Sequence, residues 1–331
     1  DFGSPHAPNH GQETSWLGTK GHLTGLIARH GSVYKFGVDR WARVRPDLAA
    51  VHKFRFDPLW PECGWIQQRI VNGLPVIVTE LERKGQSCQI QQFAAPLAAT
   101  SPLVRGEIAS VLFTRIKISG AGPVRFGFRL ATEDKERHPE LRKLAGRWCV
   151  VDRETAHVWL MIEPDAGLTV QPRAPIADTN DPRLEFDCVG ELDAGQARTI
   201  VVKLNAPVSA AETAPQLAAL DVDRAHAVSV QYWQDWLARG AHFEVPEQTV
   251  NDLFRANLWH ALFLPRHRLD AHGVNRIDLP YSNFAYGQSN ADWPINQAVY
   301  VDYMIHGLRG YFDVAEEEFA AMYQTQQQAD G

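Results

Sequence analysis

A chain of 331 residues, 45% of them hydrophobic and 22% charged, can bury one or two sizeable cores. Its net charge of -6 comes without any basic stripe, which argues against nucleic acid as a partner. No apolar run reaches the ~20 residues needed to cross a membrane, so no membrane partner is expected either.

Residues up to about Thr14 are rich in Gly, Pro, His and Asn and read as irregular. From Trp16 the pattern becomes one of strands. Trp65–Val71 runs into Asn72-Gly73, a strong hairpin signal, and Pro75–Leu81 follows. Lys84-Gly85 makes the next turn, before Ser87–Phe93. Ile108–Ile118 is long and rich in β-branched residues. Val124–Leu130 alternates, with Val124, Phe126, Phe128 and Leu130 on one face. Val158–Ile162, Leu184–Val189 and Thr199–Leu204 continue in the same manner. Many short strands separated by turns predict an antiparallel β-sandwich over Trp16–Leu204, within an N-terminal domain of residues 1–206. The charged insert that begins Glu133-Asp-Lys-Glu-Arg reads as a solvated loop or one short helix.

At Ala206 the composition shifts, and Pro207, Pro215 and a run of Ala and Ser mark a linker with a helix over 207–244. Val222, Ala225, Val228, Tyr232, Trp236 and Leu237 then recur at helical spacing. A second helix carries Val250, Leu253, Phe254, Leu258, Ala261 and Leu262, and ends at Pro265. After a long loop, Ile295, Val299, Tyr303 and His306 predict a third helix, closing between Gly307 and Gly310. A fourth runs from Val314 to Gln328. No strand is expected between these helices. The apolar faces of the last two have nothing after them to cover them, so the chain reads as a fragment, with further helical hairpins expected beyond Gly331.

The richest chemistry sits in the loop Tyr281–Tyr300. Aromatic rings (Tyr286, Trp293) and amides (Gln288, Asn290, Asn296) surround one carboxylate, Asp292. Rings stack on sugars and amides bind hydroxyls, so a carbohydrate is the expected partner. Trp293 and Tyr286 can equally pack into a core, and the amides can cap turns. Pro294 suits the first turn of a helix. Asp292 just before it is placed to cap that helix, to bind a sugar hydroxyl or to donate a proton. Asp302 and Glu316 to Glu318 read as solvated helix faces, while Asp270, His272 and Asp278 stay without a role.

The cysteines, Cys63, Cys88, Cys149 and Cys188, match no zinc or redox spacing. A core of this size needs no staples, so free thiols are expected. The thirteen histidines show no metal-ligand spacing, and neither a metal nor a cofactor is expected. The chain begins at Asp1 rather than Met, which leaves its compartment open.

The order of parts resembles the six-hairpin glycosidase superfamily. The likeness is carried by Trp233-Gln-Asp-Trp236, Phe243-Glu-Val-Pro-Glu247, Asn290-Ala-Asp-Trp-Pro-Ile-Asn296 and Gln326 to Gly331. It implies a β-sandwich followed by the start of an (α/α)6 barrel over 245–331. It also implies a glycoside hydrolase acting on an oligosaccharide or glycoside, with a phosphorylase, a lyase or a non-catalytic carbohydrate-binding fragment as alternatives. Many members invert the anomeric centre with two carboxyl groups ~6.5–9.5 Å apart. The resemblance places the base late in the barrel, beyond Gly331, and leaves Asp292 as acid or substrate-orienting residue. The rhamnosidase loop carries an arginine beside its acidic residues; this one has none.

Overall fold

The computed structural model describes residues 23–27, 32, 34–46, 54–98, 108–132, 134–174, 182–263, 266–269, 275–278 and 304–326. Thirteen strands among them form one antiparallel sheet. They are β1 (Leu23–Ile27), β2 (Phe36–Asp39), β3 (Val44–Pro46), β4 (Phe54–Leu59), β5 (Gly64–Val71), β6 (Leu74–Arg83) and β7 (Gln86–Pro96). They continue as β8 (Ser110–Thr132), β9 (Pro139–Leu144), β10 (Arg147–Asp152), β11 (Val158–Pro164), β12 (Leu168–Pro172) and β13 (Arg183–Ser209).

Two very long strands organise this sheet. β8 and β13 pair with each other from Ala131–Arg183 to Ser110–Ala206. β4 pairs with one end of β8, Gly127–Thr132, and β7 with the other, Ser110–Ser119. β12 lies against Phe186–Gly190 of β13, and β11 against the far end from Ile200. The sheet thus divides into two halves that share β8 and β13. The division falls where the β8–β13 register shifts between Leu192 and Gln196, opposite Gly120 and Gly122. Gly120 has φ +134°, and a Cβ there would meet the Gly85 carbonyl oxygen at 2.7 Å, so a side chain is excluded on two grounds.

The halves pack against one another. Phe54 on β4 stacks on Trp159 on β11, with ring centroids 6.2 Å apart. A single core joins Phe56, Phe126, Phe128 and Phe186 of one half to Ile90, Ile116, Leu160 and Val202 of the other. Side chains of the second half also bond to the β2–β3 turn of the first. Trp65 Nε1 donates to Arg40 O at 2.9 Å, Gln68 Nε2 to Asp39 O at 2.9 Å and Gln92 Nε2 to Ala42 O at 3.1 Å.

The second half is covered on its other face as well. α1 (Ala214–Ala219) and α2 (Val222–Ala238) lie there, with Leu217 and Ala225 against Val76, Phe93, Phe113, Val151 and Met161. This explains why β6 and β7 hold buried runs, such as Leu74–Thr79, where a one-faced sheet would alternate. The buried Lys203 ammonium bonds to Glu163 Oε1 and Leu217 O, both at 2.9 Å, and so ties α1 to β13. Asp221 caps α2, its carboxylate accepting from Arg224 N at 2.8 Å. His226 on α2 lies edge-on to Phe93 at 5.0 Å and 3.4 Å from Gln91 Nε2. Beside it Asp223 bonds Arg115 of β8.

α3 (Gln248–Phe263) follows. The tip of the β5–β6 hairpin meets it: Trp259 Nε1 donates to Gly73 O at 2.8 Å, buried, and Leu74 joins Trp233, Trp236 and Trp259 in a separate core. The tip is the expected Asn-Gly turn, with φ +53° at Asn72 and +67° at Gly73.

Several expectations need correction. The strands expected at Ile108–Ile118 and Val124–Leu130 are one strand, β8, and those at Leu184–Val189 and Thr199–Leu204 are both β13. Turns were expected where the long strands instead bend through glycines. The charged stretch after Glu133 makes a turn and then β9, which pairs with β10 from Pro139–Asp152 to Leu144–Arg147. β13 runs to Ser209, past the compositional shift at Ala206. A two-stranded hairpin follows α3, where no strand was expected: β14 (Arg266–Leu269) and β15 (Asn275–Asp278). All four cysteines are free, as expected. Burial pushes the thiols of Cys149 and Cys188 up to about 11 and about 12, and that of Cys88 further still.

Two outcomes follow for stability. At Gly73 a Cβ would lie 2.9 Å from Arg255 Cδ and 3.3 Å from Asp252 Cα, whereas at Gly85, also at positive φ, it would meet nothing. Denaturant unfolding should therefore show a loss of about 1 kcal/mol for Gly85→Ala and about 3 kcal/mol for Gly73→Ala, the excess measuring the contact with α3. Burial, and then Arg115, hold the His226 pKa below its ordinary 6.5, with Asp223 opposing. The unfolded chain then takes up the proton first, so the contribution of His226 is full above about pH 6.5 and declines as pH falls. Melting temperatures measured between pH 7.5 and 5 should fall less steeply in His226→Gln than in the wild type.

Candidate functional site

The loop 281–300 lies outside the described residues, and with it Asp292, Trp293, Tyr286, Gln288, Asn290 and Asn296. Asp270, His272 and Asp302 lie outside them too. What is described is the frame from which the loop springs. On its N-terminal side, β14 and β15 pair from Arg266–Asp278 to Leu269–Asn275. β15 runs beside α5 (Phe312–Gln326). On its C-terminal side, α4 is described over 304–308 and turns at once into α5. Arg309, Gly310 and Tyr311 close this turn, with Tyr311 N donating to His306 O at 2.8 Å. The described elements on either side of the loop, β15 and α4, therefore both lie against one helix, α5.

The packing beneath this frame is dense. His306 is fully buried, 3.4 Å from Glu318 Oε2 and 6.4 Å from the Tyr311 ring. Tyr311 stacks on Trp236, and its hydroxyl donates to Trp236 O at 2.6 Å. Burial raises the Tyr311 pKa, which keeps that donor protonated. Arg239 lies over the Trp236 ring at 4.4 Å and reaches Asp313 on α5. Arg309 sits 3.9 Å from the Phe254 ring centroid and donates to Phe254 O at 2.9 Å and to Asn257 Oδ1 at 3.0 Å. These contacts tie α4 and α5 to α2 and α3.

Two of the sequence motifs find structural roles here. Trp233 and Trp236 are both buried in the helical core. The stretch Phe243–Glu247 is shaped by Asn251, whose amide accepts from Val245 N at 2.9 Å and donates to Val245 O at 2.8 Å. Phe243 stacks on Phe254 at 4.6 Å. A cleft of about 100 Å³ between the end of α2 and α3, with Phe243, Phe254, Leu237 and Leu258 in its lining, is well under the ~300–1,000 Å³ of small-molecule sites. Among the described residues no group of His, Cys, Asp or Glu could hold a metal ion, and no helix is long and apolar enough to cross a membrane.

Glu318 corrects one expectation: it is 3% exposed and pairs with His306, where a solvated face was expected. The signal was available in its spacing. Glu318 stands four residues after Val314 and three after Ala315, both buried, so it occupies the apolar stripe of α5.

No known family profile matches the chain, and no curated protein sequence matches it. Solved structures do. A bacterial glucoamylase complexed with acarbose aligns with 98% of this chain at a TM-score of 0.57 and 9% identity. The fold is shared with that glucoamylase. The chain spans about half of its length, 52%. A family GH92 inverting mannosidase of Bacteroides thetaiotaomicron aligns with 78% of this chain and 39% of its own, at 13% identity and a TM-score of 0.35, too loosely to carry weight.

Removing one member of a buried polar pair leaves the other without that partner in a site closed to water. Glu318→Ala should cost about 3 kcal/mol of unfolding free energy, and Glu316→Ala, on the exposed face of the same helix, under about 0.5 kcal/mol. Equal small effects in denaturant titrations would show that the His306–Glu318 pair does not hold α4 to α5.

Proposed function

We propose that this protein is a glycoside hydrolase of the six-hairpin type, inverting, with an oligosaccharide or a glycoside as substrate. In this reading residues 1–206 are a β-sandwich domain, 207–244 a linker with a helix, and 245–331 the opening of an (α/α)6 barrel. One observation carries it: the glucoamylase-like fold extends over 98% of the chain, and the loop richest in sugar-binding residue types springs from its helical part.

Within that loop Asp292 is the substrate-orienting carboxylate. A general acid needs its pKa raised by burial, whereas a position just before a helix start favours the anion. An anion there accepts hydrogen bonds from sugar hydroxyls. Trp293 and Tyr286 supply apolar faces for the ring, and Gln288, Asn290 and Asn296 bind further hydroxyls. Activating water falls to a second carboxylate.

Asp292→Asn tests this role because it keeps volume while removing charge. If the contact strengthens in the transition state, kcat/KM on the best of a panel of nitrophenyl glycosides should fall by ~2–4 kcal/mol of transition-state stabilisation in the complete gene product. The melting temperature should hardly move, since Asn caps a helix about as well as Asp. Unchanged kcat/KM would reduce Asp292 to a helix cap.

A further inference from the structure

A cleft of about 370 Å³ opens at one edge of the sheet, between β9–β10 and the β12–β13 pair. Its lining comes from β9, β10, β12 and β13 and from the residues that directly follow β10 and β12, between Pro139 and Glu185, and shares no residue with the 281–300 loop. The cleft exists because strands end there. Pro139 opens β9 and Pro172 closes β12, and proline cannot extend a ladder at either position. Leu141, Trp148 and Leu184 edge the main core from this side and remain partly exposed, so the cleft has an apolar wall with an indole in it. Lys143, the cross-strand partner of Trp148, lies 4.9 Å from the centroid of that ring.

The rest of the lining is polar, and Arg173, Glu185, Arg153 and Glu140 in it already have charged partners. Arg173 gives one N–H each from Nε and Nη2 to Asp187 Oδ1, at 3.0 and 2.6 Å, and one from Nη1 to Glu185 Oε2 at 2.9 Å. A guanidinium has five such donors, so two remain. Glu185 also accepts from Arg129 Nε at 2.7 Å. Burial works against its charge, but the two arginines outweigh it and hold the carboxyl below the usual range. Arg153 Nε lies 3.3 Å from Glu140 Oε2, and Arg142 bonds the other oxygen. A free anion entering here would compete with carboxylates already in place. A neutral polyol would not, because it can accept from spare N–H groups and donate to spare carboxylate lone pairs.

We propose that this cleft is a second carbohydrate site, which binds a neutral sugar ring against Trp148 with its hydroxyls on Glu140, Arg153 and Arg173. The volume falls within the ~300–1,000 Å³ of small-molecule sites, and an apolar platform beside a few fixed polar groups is the lining such sites use. The choice of a sugar among neutral polyols rests on the carbohydrate-active reading given above. Such a site holds a polymeric substrate to the protein away from the reacting bond and raises its local concentration.

Isothermal titration of the 331-residue chain with maltoheptaose, mannotriose and glucuronate tests it. At least one neutral oligosaccharide should bind, and more tightly than glucuronate. Trp148→Ala should weaken that binding about tenfold or more and Arg153→Ala severalfold, with melting curves run on both. Arg153 is well exposed, its side chain 60% accessible, so its removal leaves the fold intact even if loss of Trp148 does not. Binding unaffected by both variants, absence of sugar binding, or a preference for glucuronate overturns the proposal. Hydrolysis of short aryl glycosides reports separately on the enzyme reading. It should be unchanged in Arg153→Ala, and its absence alongside cleft binding would sink the hydrolase and keep the site.

Discussion

The pairing of β8 with β13 is the constraint on which the rest of the molecule depends. Each strand is long enough to serve two halves of the sheet, and the pair changes direction where β8 carries glycines and β13 shifts register. This brings two faces together without a separate connection between them. Phe54 can then reach Trp159, and the β2–β3 turn can accept hydrogen bonds from Trp65, Gln68 and Gln92. A long paired strand also transmits position. Whatever docks on the second half, including α1 and α2, is placed relative to the first half through two continuous backbones.

The helical part meets the sheet in two ways that differ in kind. α1 and α2 cover an apolar face, and that contact is broad. The β5–β6 hairpin instead reaches α3 with its tip, where one buried hydrogen bond and one close backbone approach fix the geometry. From α2 and α3 the order passes to α5 through Arg309 and Tyr311, and α5 packs against β15 and α4, the described elements that flank the loop carrying Asp292. The chemistry proposed for that loop thus sits at the end of a chain of packed elements that begins in the sheet.

Much of this was legible in the sequence. The Asn72-Gly73 hairpin, the alternation of Val124–Leu130 and the helical spacing from Val222 onward all correspond to elements of the expected type. The misses have physical causes. A bend inside a strand looks like a turn between two strands, because glycine serves both, and so β8 and β13 were divided. β9 was hidden because an exposed edge strand can carry Glu140 and Arg142 on one face and Lys143 on the other. The β14–β15 hairpin reads Arg-His-Arg on one side and has little apolar alternation to announce it. The acidic type of Glu318 suggests a solvated face, whereas its place in the apolar stripe of α5 buries it. As for Asp292 and its neighbours, composition marks the loop, but a long loop between helices carries no periodicity from which side-chain directions can be read.

The free thiols have a consequence of another sort. Cys88, Cys149 and Cys188 lie buried on β7, β10 and β13. Thiolate is the form that reacts, and their raised pKa values leave almost none at neutral pH. Electrophiles and mild oxidants therefore reach them at the rate at which the sheet opens. The three sulfurs act as built-in clocks on separate strands, and the order in which they are labelled reads out which part of the sheet parts first.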